Sequence, residues 1–268
     1  MTAALTLSAV THRFATPGPT SFTALRDVDL EVREGEFVGI VGPTGCGKST
    51  LLGLITGLFE PSEGEVRAWG RRVSGIPPGL GFVFQQDALF PWRNVLDNVA
   101  TGPQFRGESW AAARAKAREW LVRVGLERFA AHHPHQLSGG MRKRVALAQT
   151  FVNQPRLLLM DEPFSALDVQ TRTVMQDELL ALWSGSGASV LFVTHDLEEA
   201  VALSDRVVVL TASPATVKAV YDVPLPRPRQ IGDLRYDGEF TRIARAIWND
   251  LRDEVSLGQA RALGELAA

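Results

Sequence analysis

The sequence predicts an α/β protein built on a largely parallel sheet that is covered on both faces. Three observations predict it. Short apolar runs at residues 37–41, 81–84, 157–160, 190–193 and 207–210 read as buried strands, and stretches with helical spacing separate them. The first run, Phe37-Val38-Gly39-Ile40-Val41, passes through a glycine-rich loop into a segment with helical spacing that begins at Lys48, so strand, loop and helix follow in order. The composition, 45% hydrophobic and 22% charged over 268 residues, is ordinary globular usage and suffices for one large domain or two small ones.

Taken in order, residues 5–10 and 24–32 alternate apolar and polar positions, the pattern of half-buried strands, and Glu34-Gly35-Glu36 turns the chain into the first buried run. Between 109 and 124, Trp110, Ala113, Ala117, Trp120, Leu121 and Val124 recur at helical spacing, with Gly125 placed to stop an amphipathic helix. After Tyr221 the strand signals cease. Leu225-Pro226-Arg227-Pro228-Arg229 is too proline-rich for a central strand or helix, which sets a boundary near 222. Beyond it Phe240, Ile243, Ala244, Ile247, Trp248 and Leu251 form the apolar stripe of a terminal helix docked on another element. No repeat of solenoid period is visible.

Composition excludes several function classes. Twenty-eight Lys and Arg against thirty Asp and Glu give a net charge of -2, without the basic footprint of a nucleic-acid binder. One cysteine makes no intrachain disulfide, which fits a reducing compartment. The first basic side chain is Arg13, so the pattern of a signal peptide is missing, and the longest uncharged stretch, 179–194, is broken by Ser184-Gly185-Ser186-Gly187. That stretch falls short of the ~18 apolar residues of a membrane span. Three imidazoles at His132, His133 and His135 invite a metal reading, but no cysteine or carboxylate cluster accompanies them, and a solvated loop is the simpler account.

Residues 42–49, GPTGCGKS, match G-x-x-x-x-G-K-[ST] in the strand-loop-helix setting that the motif requires. Gly42, Pro43, Thr44, Gly45, Cys46 and Gly47 form the loop. Its glycines let successive N–H groups wrap an anion at a helix N-terminus; Lys48 brings charge to β- and γ-phosphates, and Ser49 offers a hydroxyl to Mg²⁺. The run 157–160 ends in Asp161-Glu162, two carboxylates at a strand's carboxyl end that can divide the work, Asp161 holding Mg²⁺ and Glu162 polarising the attacking water.

Many nucleotide-binding families share these two features. Leu137-Ser138-Gly139-Gly140-Met141, about twenty residues before Asp161, resembles the signature of ATP-binding-cassette ATPases, and the resemblance extends over residues 5–215. It implies a P-loop NTPase of that type: a RecA-like core, an antiparallel β subdomain and a helical subdomain over about 87–152, together forming an ATPase domain of residues 1–222, with 223–268 as a C-terminal extension. It implies ATP and Mg²⁺ as ligands, bound between two subunits, the phosphate loop and Thr50 of one facing Ser138, Gly139 and Gly140 of the other. It further implies that Phe14 stacks on adenine, that Gln85 reaches Mg²⁺ and water, that Asp168 of Ser165-Ala166-Leu167-Asp168 crosses the dimer interface, and that His195 contacts the γ-phosphate. The signature's fifth residue, usually Gln, is Met141, which removes a side-chain hydrogen bond there.

Phe90-Pro91-Trp92-Arg93, the Met-containing signature, Leu197-Glu198-Glu199-Ala200 and Leu225-Pro226-Arg227-Pro228-Arg229 together resemble ATPases of the nitrate, sulfonate and taurine importer group. That resemblance implies a homodimer in the ATP-bound state at the cytoplasmic face of the plasma membrane, transmembrane permease subunits contacting residues 85–93, and a periplasmic solute-binding protein in the same system. The roughly fifty residues after the last strand are too few for an additional β-barrel regulatory domain. A soluble cassette ATPase is the alternative, and it would usually carry a coiled-coil insertion or two cassettes in one chain; a non-hydrolysing relative would be expected to lack Glu162 or His195.

Overall fold

A computed structural model describes residues 3–15 and 21–266, with side chains described as far as residue 256. The elements are β1 (Ala3–Ala15), β2 (Ser21–Arg33), β3 (Phe37–Val41), α1 (Lys48–Ile55), β4 (Glu63–Ala68), β5 (Arg71–Arg72), β6 (Leu80–Val83), α2 (Val95–Phe105), α3 (Trp110–Arg123), α4 (Gly139–Phe151), β7 (Leu157–Asp161), α5 (Val169–Ser184), β8 (Ser189–Val193), α6 (Leu197–Leu203), β9 (Arg206–Leu210), β10 (Val217–Asp222), α7 (Ile231–Leu234) and α8 (Gly238–Leu266). They form a four-stranded antiparallel sheet ordered β2-β1-β4-β5 and a six-stranded sheet ordered β10-β9-β3-β8-β7-β6, parallel except where β10 pairs antiparallel to β9.

The near-continuous apolar character of the central strands follows from burial on both faces. In β7, Leu157 and Leu159 enter the core shared with the antiparallel sheet and α1, while Leu158 and Met160 enter the core shared with α4, α5, α6 and α8. Strands β3, β8 and β9 divide in the same way: Val38, Leu191 and Val208 lie on one side, Phe37, Val190 and Val207 on the other. A third core lies among α2, α3 and α4, where Val99, Ala113, Ala117 and Leu121 meet. Ser109 caps α3 by accepting from the Ala112 N–H, so the helix begins where its stripe begins.

Strands β1 and β2, at 13 residues each, run longer than the alternation over 5–10 and 24–32 suggested. Strands β4, β5 and β10 carry no apolar run; Arg71 and Arg72 of β5 are both exposed, and β10 alternates half-buried and exposed positions on an edge. These strands exist because a neighbour pairs with them, which no local pattern records.

The pattern change near 222 coincides with the end of β10, yet the core continues past it. Phe240, Ile243, Ile247 and Leu251 of α8 belong to the same apolar cluster as Phe37, Trp183 and Phe192. Two arginines of the proline-rich stretch fasten the extension. Arg227 pairs with Asp205 at 2.7 Å and lies 4.4 Å over the Trp183 ring. Arg229, only 7% exposed, donates to the carbonyls of Val201, Ala202, Ser204, Val223 and Leu225 at 2.8–3.3 Å. Burial, and then the charge of Arg227, brings its guanidinium down to about 10.

Ile247 is fully buried, so Ile247→Ala opens a cavity in the shared core. The expected cost is about 2–5 kcal/mol. Chemical denaturation should show the main unfolding transition moved to lower denaturant; a change confined to a separate minor transition would contradict the shared core.

Candidate functional site

Because β3, β8, β7 and β6 are adjacent and parallel, the segments leaving their carboxyl ends lie side by side. Those segments hold Lys48, His195, Asp161 with Glu162, and Gln85, in that spatial order. The sheet thus assembles residues up to about 150 positions apart in the chain.

The loop after β3 turns on Gly45 (φ 75°) and Gly47 (φ 124°), the latter standing as the N-cap of α1. A Cβ on Gly47 would come within 2.9 Å of Leu25 and 3.1 Å of the Ala24 carbonyl, so both its angle and its packing require glycine. Lys48 is 7% exposed and donates to the carbonyls of Gly42 and Pro43 at 2.8 and 2.9 Å. Thr44, Gly45 and Ser49 are exposed, Pro43 is buried, and Cys46 is a buried filler whose thiol burial pushes up. That direction favours the unreactive thiol over the thiolate.

Asp161 ends β7, and its carboxyl is raised above the usual carboxylate range by burial first and by the Glu162 charge second; Lys48 and a hydrogen bond from Ser49 oppose the shift. Glu162 adopts φ 43°, a left-handed conformation that costs a non-glycine residue about 1–2 kcal/mol. Its N–H donates to the Val193 carbonyl at 2.9 Å, and its Oε2 lies 3.0 Å from His195 Nδ1. Glutamate and histidine are therefore paired across adjacent strand ends.

Gln85 Nε2 donates to Ser165 Oγ at 3.3 Å, and Ser165 Oγ donates to the Glu162 carbonyl at 3.0 Å, tying the segment after β6 to the segment after β7. Phe14 is half-buried against the edges of His12 and Phe59, with ring centroids 4.6 and 5.6 Å away. It lines a largely apolar groove of about 560 Å³ together with Ser49, Thr50 and Asp161.

Ser138 and Asp168 do not join this cluster through hydrogen bonds. Ser138 caps α4, accepting from the Met141 N–H at 3.3 Å, and Asp168 caps α5, accepting from the Thr171 N–H at 3.0 Å. That backbone bond holds the Asp168 carboxyl below its ordinary range. The two helix starts pack on each other: a Cβ on Gly140 would meet Thr171 at 2.9 Å, and one on Gly139 would meet Leu167 at 3.8 Å. His132 packs against Phe129, whereas the rings of His133 and His135 stack on each other.

Two residues outside the sequence-predicted set organise the site. Lys143, 2% exposed, pairs with Asp87 at 3.0 Å and reaches the Phe84 and Gln85 carbonyls at 3.3 and 3.2 Å, and Arg142 pairs with Asp87 at 3.1 Å. The helix that Ser138 opens is thereby bonded to the Gln85 segment. Asn98, fully buried, accepts from the Phe90 N–H at 2.7 Å and donates to the Phe90 and Arg93 carbonyls. This fixes the bend through Pro91 and leaves Trp92 72% exposed. The Arg93 guanidinium, bonded to Thr101, lies over the rings of Phe90, Phe105 and Trp110. Neither residue has a local signal, since a helical lysine reads as solvated and an isolated asparagine reads as a cap.

A family model described as ABC transporter matches residues 25–165. An aliphatic sulfonates import ATP-binding protein of Xanthomonas axonopodis is 50% identical over 76% of this chain and 82% of its own length. A taurine import ATP-binding protein of Ruegeria pomeroyi is 37% identical over 96% and 98%. A dimeric ATP-binding cassette, solved in a post-hydrolysis state with ADP and phosphate, aligns with a TM-score of 0.71 at 35% identity, over 83% of this chain and 100% of that one. The chain belongs to the ABC transporter family. It is an ATP-binding ATPase of the importer type, with ATP hydrolysis coupled to transport.

Asn98→Ala removes the acceptor of the Phe90 N–H. A buried hydrogen bond lost in this way is worth about 1–3 kcal/mol, so amide exchange at Phe90 should accelerate about tenfold or more while the β3 and β8 amides keep their protection. Unchanged exchange at Phe90 would show that another contact holds the bend.

Proposed function

We propose that this chain powers import of a small anionic solute, of the nitrate, sulfonate or taurine kind, as one of two identical ATPase subunits beneath transmembrane permease subunits. The observation that carries the catalytic part is the 3.0 Å Glu162–His195 contact at strand ends beside the Lys48 loop. Glu162 is the general base that polarises the attacking water, worth about 10²- to 10⁴-fold in rate, and His195 orients that carboxylate and meets the γ-phosphate. Lys48 exchanges its loop carbonyls for the β- and γ-phosphate oxygens, and the N–H groups from Gly42 to Thr50, to which Pro43 contributes none, wrap them. Phe14 offers an aromatic face to the adenine at the edge of the groove it shares with Ser49 and Thr50.

The oxygen donors suit a hard divalent cation: Asp161 bears a raised carboxyl beside Glu162 and already accepts from Ser49. Ser49, Asp161 and Gln85 would hold Mg²⁺, whose charge offsets that of the phosphates. Ser138, which is exposed, and the half-buried Gly139 and Gly140 open α4 and, like Asp168, act on nucleotide held by the partner subunit. Met141 contributes its backbone N–H to the Ser138 cap, and its side chain packs against the core among α2, α3 and α4.

The bend over residues 85–93 supports the permease contact. Beside it lies a groove of about 290 Å³ with Phe84, Phe90 and Phe105 among its walls, and Trp92 stands free of it, which suits a short helix of the membrane subunit. Among the described residues no helix is long and apolar enough to cross a membrane. Peripheral attachment at the cytoplasmic face follows from that partner, and a periplasmic solute-binding protein delivers the solute. The sulfonate and taurine relatives support its anionic class. We read residues 1–222 as the ATPase domain, with the helical subdomain at about 87–152, and 223–268 as an extension that completes its core.

Glu162→Gln should keep ATP affinity while hydrolysis falls at least 100-fold, leaving a Mg-ATP dimer stable on size exclusion. Hydrolysis at the parent rate would remove Glu162 from this role. Uptake of taurine, an alkanesulfonate or nitrate into vesicles carrying the chain with its permease should depend on ATP and on Trp92. Uptake of none of these anions, alongside uptake of a cationic or sugar solute, would overturn the solute class.

A further inference from the structure

The α5 residue Arg172 belongs to neither the phosphate loop nor the signature, yet it joins two segments of the site. Its Nη2 donates to the Leu167 carbonyl at 3.1 Å, and its Nη1 donates to Asp196 Oδ2 at 3.1 Å. Leu167 precedes Asp168 and packs beside Gly139; Asp196 follows His195. The other carboxylate oxygen of Asp196 accepts from the Glu199 N–H at 3.1 Å, so Asp196 caps α6 with one oxygen and holds Arg172 with the other. The Asp196 N–H donates to Thr194 Oγ1 at 3.0 Å, and that hydroxyl donates to the buried Glu199 at 2.5 Å, whose remaining oxygen accepts from Gln176 at 2.9 Å. His195 is thus flanked by two residues immobilised through buried or half-buried bonds.

These contacts close a ring. From Glu162 the chain runs through Ser165 to Leu167, crosses by Arg172 to Asp196, and returns by His195 to Glu162. Arg172 is the cross-link, and its planar fork suits it for bonding a carbonyl and a carboxylate at once. A flexible ammonium would satisfy one of them with less directional control.

We propose that Arg172 is a positioning residue for ATP hydrolysis, holding the Asp168 loop and the His195 turn in one register so that partner contact at the first sets the geometry of the second. The proposal rests on the reading that both segments belong to a nucleotide site completed by a second subunit. Arg172 touches no phosphate-loop residue by hydrogen bond, so ATP affinity should be unaffected while turnover is lost. Misplacing a catalytic group by about 1 Å costs up to about 100-fold.

The test uses the full chain with Mg-ATP. Arg172→Met keeps the aliphatic stem without the fork, and kcat should fall about 10- to 100-fold with ATP affinity within twofold of the parent. Arg172→Lys, which retains the charge on a single donor nitrogen, should restore part of the loss. Asp196→Asn keeps the α6 cap but weakens the pair, and the double variant should lose no more than the worse single variant. Glu162→Gln, run in parallel, separates two failures. If it hydrolyses normally, the underlying site reading fails. If it is inactive while Arg172→Met and Arg172→Lys turn over within twofold of the parent, the role of Arg172 is refuted. The role is equally refuted if the double variant loses the product of the two single losses, or if kcat falls only in step with a lowered melting midpoint. Should Arg172→Met not fold, Arg172→Lys and Asp196→Asn decide by the same criteria.

Discussion

A sheet buried on both faces leaves its strands no place for chemistry except their ends. In β3, β7, β8 and β9 alternate side chains fill two cores, and a polar group in mid-strand would be desolvated without a partner. Functional groups are therefore confined to the segments that leave the strands. Parallel pairing sends those segments to one edge, and the order β3-β8-β7-β6 sets them beside one another. The site is a consequence of strand order before it is a consequence of any single contact.

Along that edge, cohesion is polar. Gln85 meets Ser165, Glu162 meets His195, and Lys143 ties the helix behind Ser138 to the segment after β6. Such bonds exchange partners more readily than packed side chains do, because each loss can be compensated by water or a phosphate oxygen at modest net cost. The half-buried Asp161 opposes this cohesion, since its partial burial and then the neighbouring Glu162 charge disfavour its ionised form. The arrangement stores a demand for positive charge at the point where Lys48 and a cation would supply it.

Central strands and the phosphate loop were legible because their signals are local: an apolar run for burial on two faces, and glycines with a lysine and a serine at fixed spacing for an anion cradle. The α3 stripe was legible for the same reason. What escaped depends on distant partners. The arginines of β5 and the alternating half-buried β10 are strands only because β4 and β9 pair with them. The fragment after 222 differs in local pattern, but its buried face joins the older core. Lys143 and Arg172 sit on helices where sequence alone suggests solvent, and only the fold brings carbonyls and carboxylates to them.

Arg229 carries a consequence for the order in which the molecule can mature. Its guanidinium donates to carbonyls at the end of α6, at Val201, Ala202 and Ser204, together with two from the extension itself. During vectorial synthesis those α6 carbonyls emerge before their cation does, and the apolar face awaiting α8 stays wet until later still. A nascent chain that has already completed its nucleotide loops therefore still has an unsealed flank, and it reaches its final cohesion only once the residues beyond 229 have left the ribosome.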